Sequence, residues 1–139
     1  MKIIIYTDGG SRNNPGPAAL GVYFIDFNKE YSEFLGTATN NEAEYQGVVF
    51  ALKKAKQLIG KENAKKTEIE IKADSELIVK QLNGEYKLKE EKLIAPFIEI
   101  WNLKQEYKKV SFTHIPREQN KKADLMVNKE LDNQQKELF

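Results

Sequence analysis

The chain reads as an α/β domain: one five-stranded mixed sheet, made of an antiparallel meander plus parallel strands, flanked by helices. Three observations predict it. Up to Thr37 the chain holds three short runs of β-branched, aromatic and aliphatic residues, separated by turn residues that leave room only for antiparallel connections. Beyond Ala38, strand-type and helix-type patterns alternate, which is how parallel strands are connected. The 139 residues, 40% of them hydrophobic and 31% charged, suffice for one domain with one core, and neither an internal repeat nor a domain boundary is visible.

The elements follow in order. Ile3 to Tyr6 is a continuous apolar run, the pattern of a fully buried strand, and it delivers Asp8 into a loop of Gly9, Gly10, Asn13, Asn14, Pro15, Gly16 and Pro17. Leu20 to Phe27 is the second strand, Asn28 and Lys29 the hairpin turn, and Glu30 to Thr37 the third strand. Thr39 and Glu42 have the spacing of a capping box. A helix therefore runs from Asn41 to Ile59, with Val48, Ala51, Leu52, Ala55 and Ile59 on its apolar stripe. Gly60 to Thr67 is a polar loop, and Glu68 to Ala73 alternates as a half-buried strand. Asp74, Ser75 and Glu76 open a helix that ends at Leu82 before Asn83 and Gly84. A further helix spans about Glu90 to Tyr107, with Pro96 expected to kink it or set its first turn apart. Val110 to Ile115 is the fifth strand. Pro116 to Asn120 is a loop, Asn120 is placed to cap a last helix from Lys121 to about Leu131, and residues 132–139 form a tail expected to fray.

Composition narrows the chemistry. With no cysteine, disulfides, thiolate metal sites and thiol nucleophiles are excluded. One histidine excludes a multi-histidine metal site, so any metal must sit among oxygen ligands, which suits Mg²⁺, Mn²⁺ or Ca²⁺. A net charge of +1 carries no bulk signal for nucleic acid. No run is long and apolar enough to span a membrane, so a cytoplasmic protein without a membrane partner is expected.

Four acids stand out: Asp8 and Asp74 just past two buried strands, Glu44 and Asp124 in the first turns of two helices. Local roles compete with a joint one. Asp8 precedes glycine as in an ordinary turn, Asp74 could cap a helix, and an acid near a helix N-terminus complements the dipole. Glu44 is singled out from Glu42 by position. Its partners at i+4, i+7 and i+11 are Val48, Ala51 and Ala55, so it lies on the apolar stripe, while Glu42 is used by the capping box. A carboxylate on the core side of a helix needs a partner such as a metal.

Read together, YTDGGSRNNPGPAALG, TNNEAEYQGVVFAL, ADSELIVKQLNG and PREQNKKADLMVN resemble the four sequence blocks of type 1 ribonuclease H, in that family's order and over essentially the whole chain. The resemblance implies a ribonuclease H-like fold. It implies an endonuclease that cuts the RNA strand of RNA–DNA hybrids, leaving 5′-phosphate and 3′-hydroxyl ends. The family's acids fall on Asp8, Glu44, Asp74 and Asp124, which would hold two Mg²⁺ or Mn²⁺ ions, about 3.5–4 Å apart as in two-metal sites generally. Substrate contacts of the family match Asn14, Asn40 and Asn41, whose amides can both donate and accept in a minor groove. A monomer is expected.

Two departures shape the expectations. The stretch EYKLKEEKLIAPFIEIWNLKQEY balances Lys with Glu where many bacterial members carry a basic protrusion, so weak substrate binding is expected. Bacterial members also use a loop histidine before the last acid, and here the loop holds Arg117. Arg117 is therefore placed among the catalytic residues, as a phosphate-holding group that cannot act as a base. His114 shares strand parity with Val110 and Phe112 and is expected on an apolar face. Two alternatives stay open: a nuclease of this fold for another substrate such as double-stranded RNA, and an inactive nucleic-acid-binding module.

Overall fold

A computed structural model describes residues 1–137. The strands are β1 (Lys2–Ser11), β2 (Gly16–Phe24), β3 (Lys29–Ala38), β4 (Glu68–Ala73) and β5 (Lys109–His114). They form one sheet in the order β3-β2-β1-β4-β5. β1 pairs antiparallel with β2, and β2 with β3, while β1–β4 and β4–β5 are parallel. The helices are α1 (Asn40–Ile59), α2 (Lys61–Ala64), α3 (Glu76–Leu82), α4 (Ile94–Lys104) and α5 (Lys121–Glu137). The mixed sheet with flanking helices is thus as the patterns predict.

Strand parity decides the layers. Ile3 and Ile5 of β1, Val22 and Phe24 of β2, and Ile69 and Ile71 of β4 join Val48, Leu52 and Ala55 of α1 in the main core. Each fully buried Ile or Leu there contributes about 1.5–3 kcal/mol of transfer free energy. Ile100 of α4 and Tyr107 close this core from outside, and the Tyr107 hydroxyl donates to the Leu52 carbonyl. The opposite parity faces α5, where Ala19, Val127 and Leu131 make a second, much smaller cluster. None of the described helices is long and apolar enough to cross a membrane.

Several boundaries differ from expectation. β1 runs on to Ser11 because it stays paired with β2, so Asp8, Gly9 and Gly10, expected past the strand, lie within it. β2 begins at Gly16 and stops at Phe24, because Phe27 and Asn28 donate to the carbonyls of Phe24 and Ile25 and put the turn there. α2 forms inside the expected loop after Gly60. The helix expected from Glu90 to Tyr107 is a 3₁₀ turn, Glu91–Leu93, followed by α4. Pro96 lies in the first turn of α4, where its missing N–H breaks no helical bond. The tail expected to fray after Leu131 continues as α5 to Glu137. Arg12 explains this: its guanidinium donates to Asp132 at 2.7 Å and Gln135 at 2.8 Å. The last two residues of the expected tail lie outside the described residues.

Candidate active site

The site forms where β1 and β4 part company. Their parallel ladder ends at Thr7 opposite Ala73, after which β1 continues beside β2 and the chain leaves β4 at Asp74. Asp8 pairs with Gly21 of β2, so both face the α5 side. A Cβ on Gly21 would lie 2.2 Å from the Ala123 carbonyl oxygen, so its absence lets α5 sit flush on the sheet, one residue before Asp124. From the other side comes α1. A Cβ on Gly9 would lie 2.2 Å from the Ala43 carbonyl carbon and 2.4 Å from the Glu44 nitrogen. Only glycine allows the first turn of α1 to press against β1 there and bring Glu44 to Asp8.

Carboxylate oxygens of Asp8, Glu44 and Asp74 accordingly lie within 4.8 Å of one another. Asp124 and Arg117 line the same open cleft, of about 420 Å³. Burial, then the charges of Asp74 and Asp124, push the Asp8 carboxyl up to about 8, against a lowering hydrogen bond from the Gly9 backbone. Burial followed by the charges of Asp8 and Asp74 pushes Glu44 well above the carboxylate range; Arg117 opposes this weakly. Among the described residues none makes an ion pair with Asp8, Glu44 or Asp74, so the acids crowd together in an arrangement that a cation would relieve. All-oxygen donors of this kind suit a hard divalent cation.

The competing local roles are taken by other residues. Ser75, not Asp74, caps α3, its hydroxyl accepting from the Ile78 N–H at 3.3 Å. Glu42 closes the capping box with Thr39, which leaves Glu44 to the cleft. Asn120 is the departure: its side chain does not cap α5, and its amide instead donates to the Thr7 carbonyl at 2.9 Å and to Asp74 Oδ2 at 3.2 Å. Arg117 starts a 3₁₀ turn, Arg117–Gln119, at the cleft wall. His114 is exposed, not turned to an apolar face, because it is the last residue of β5 and lies beyond the buried Phe112.

Asn40 and Asn41 line the cleft; Asn14, on the β1–β2 loop, is not among its lining residues and reaches it through Asn40. Asn14 Oδ1 accepts from the Asn40 backbone at 3.0 Å, and Asn40 Oδ1 accepts from the Ser11 backbone at 2.8 Å. Both side-chain oxygens are thereby anchored. Asn41 donates its amide to Glu90 at 2.7 Å. Sequence reasoning missed Arg12 and Ser11 in the cleft, and nothing in their local spacing distinguishes them from other loop residues.

Residues 6–130 match the protein-family model described as Reverse transcriptase-like. A relative called Ribonuclease HI, from Halobacterium salinarum, is 35% identical over 135 residues, which is 94% of this chain and 65% of that protein. A bifunctional protein of Mycobacterium tuberculosis is 35% identical over 95% of this chain, and the match spans only 36% of its length. The crystal structure of the H. salinarum RNase H1 superposes with a TM-score of 0.86 at 34% identity, covering 96% of this chain and 99% of that one. The structure of LC11-RNase H1 in complex with RNA/DNA hybrid gives 0.85 at 44% identity, covering 91% and 94%.

Proposed function

The chain belongs to the ribonuclease H family, and from that premise we propose that it is a metal-dependent endonuclease hydrolysing the RNA strand of RNA–DNA hybrids, with 5′-phosphate and 3′-hydroxyl products. The observation that carries this reading is the meeting of Asp8, Glu44 and Asp74 within 4.8 Å at the end of a parallel strand pair. The hybrid held by a structural neighbour supports the substrate class.

In this reading Asp8, Glu44, Asp74 and Asp124 hold two Mg²⁺ or Mn²⁺ ions. Bound there, the cations supply charge for the scissile phosphate and lower the pKa of an attacking water. The chain's own residues do the rest. Asp8, Glu44 and Asp74 offer a preformed set of oxygens, and Asp124 adds an exposed one from α5. Arg117 faces the cleft with a permanent charge and five donors, suited to a phosphate and unable to take up a proton. Asn14 and Asn40, their oxygens anchored in the protein, present amide N–H groups to ribose hydroxyls and base edges. Asn41 exchanges Glu90 for substrate when the hybrid docks.

A cleavage assay on matched RNA–DNA hybrid, double-stranded RNA and double-stranded DNA, with Mg²⁺ or Mn²⁺ and with a chelator, tests the reading. Metal-dependent cutting of the hybrid's RNA strand, abolished by Asp74→Asn, is the expected result. Cutting of double-stranded RNA in preference to the hybrid would overturn the substrate, and full activity of Asp74→Asn would overturn the site.

A further inference from the structure

Asn120 makes a choice that its place in the chain does not call for. It directly precedes α5, and its backbone carbonyl accepts from the Asp124 N–H as a helix-start residue should. An asparagine there ordinarily turns its side-chain oxygen onto the free N–H groups of the first turn. This one is 1% exposed and sends its side chain the other way, into the gap between β1 and β4. Its Nδ2 spans the Thr7 carbonyl, one residue before Asp8, and the Asp74 carboxylate. Its Oδ1 is buried and finds no hydrogen-bond partner among the described residues.

The orientation is dictated by its surroundings. Both neighbours are acceptors, so the flipped amide would set an oxygen against two oxygens. The position demands two donors on one atom, without charge. Aspartate there would repel both partners, and a lysine would place a resident cation among the acids. The bridge also stands where the backbone ladder can no longer do its work. Thr7 and Ala73 are the last paired residues of the two strands, and the carboxylates lie just beyond them.

We propose that Asn120 is a positioning residue, whose amide bridges the ends of β1 and β4 and holds the Asp74 carboxylate in register with Asp8 before any cation arrives. The inference rests on the metal-site reading above and adds a residue outside the four acids. It acts through Asp74 and touches neither substrate nor metal. Groups that orient a ligand in this way carry about a 10–100-fold share of metal affinity or activity.

A double-mutant cycle tests it: Asn120→Ala, Asp74→Asn and the pair, each titrated with Mn²⁺ by calorimetry on protein without nucleic acid, with the thermal midpoint measured in chelator. Asn120→Ala should weaken Mn²⁺ binding about 10–100-fold in the wild-type background and leave it unchanged in the Asp74→Asn background. With hybrid, kcat should fall and KM should stay close to wild type. If Asn120→Ala does not fold, Asn120→Ser, which keeps one donor, is measured by the same cycle. Mn²⁺ affinity within twofold of wild type, or an equal loss with and without the Asp74 carboxylate, would overturn the proposal. Mn²⁺ binding that follows the expected pattern in a protein that fails to cut hybrids would overturn the substrate reading alone.

Discussion

At the scale of single residues, position relative to the core separates acids that look alike in the chain. Glu42 and Glu44 are two residues apart, yet one closes the capping box and the other meets Asp8 and Asp74. Glu44→Gln should therefore lose two to three orders of magnitude or more in hybrid cleavage, the scale of losing a preorganised electrostatic group. Glu42→Gln should stay within a fewfold of wild type, since glutamine also closes a capping box. Comparing the two variants in one cleavage assay checks the assignment. Arg117 and His114 separate in the same way. Arg117 lines the cleft and is felt by Glu44, whereas His114 is exposed at the end of β5. Arg117→Ala should lower kcat at least about tenfold with an unchanged melting temperature. His114→Ala should alter neither, because surface substitutions away from special features stay within about 0.5 kcal/mol. A slow, stable His114→Ala enzyme would reverse the two roles.

At the scale of elements, close approach builds the site. The first turn of α1 occupies the space where a Cβ of Gly9 would be, 2.2 Å from backbone that has no rotamer to yield. Gly9→Ala should push α1 off β1, costing about 1–3 kcal/mol as overpacking does, and should carry Glu44 away from Asp8. Urea unfolding and cleavage should fall together; an active Gly9→Ala enzyme of wild-type stability would contradict this packing. A second tie crosses three strands. Glu70 of β4 accepts from the Thr113 hydroxyl of β5 at 2.7 Å and pairs with Lys2 of β1 at 3.1 Å. The Thr113 hydrogen bond, aided by Lys2, holds its carboxyl below the ordinary 4.5, with burial acting in the other direction. A depressed carboxylate contributes stability that is present above its unfolded pKa and lost as pH falls through the folded one. Glu70→Gln should thus cost about 1 kcal/mol at neutral pH. The gap to wild type should close as pH falls below about 4. Unfolding midpoints at both pH values measure it, and a gap that widens in acid would refute the tie.

Across the whole molecule, the charge balance bears on how the proposed activity would hold a hybrid. Net charge is +1, and the segment from Glu85 to Tyr107 alternates Lys with Glu instead of offering a basic surface. Part of its acid engages the edge of the site, since Glu90 takes the amide of the cleft residue Asn41. Few phosphates can then be neutralised, and binding should depend only weakly on salt. Hybrid affinity measured with Ca²⁺ in place of Mg²⁺ should show a log–log slope of magnitude below about 4, the release expected for about four phosphate contacts. A slope near 10, as strongly basic binders give, would contradict it.

Local pattern was enough for whatever depends on neighbours in the chain. Period-two and period-3.6 spacing of apolar residues marks which face of each element is buried, so the five strands, the capping box at Thr39 and the inward side of Glu44 were legible in the sequence. The missing cysteines and lone histidine limited a metal to oxygen ligands before any fold was known. Contacts between residues far apart in the chain leave no such mark. Arg12 gripping Asp132 and Gln135 is what carries α5 past the point where its apolar pattern ends. Ser75 and Asp74 are equally good caps by residue type, and only the geometry at the end of β4 assigns the cap to Ser75 and leaves Asp74 to the cleft. Asn120 is the plainest case: its spacing spells a helix cap, and the fold places two acceptors from β1 and β4 beside its amide. The local capping bond then gives way to a bridge across the sheet.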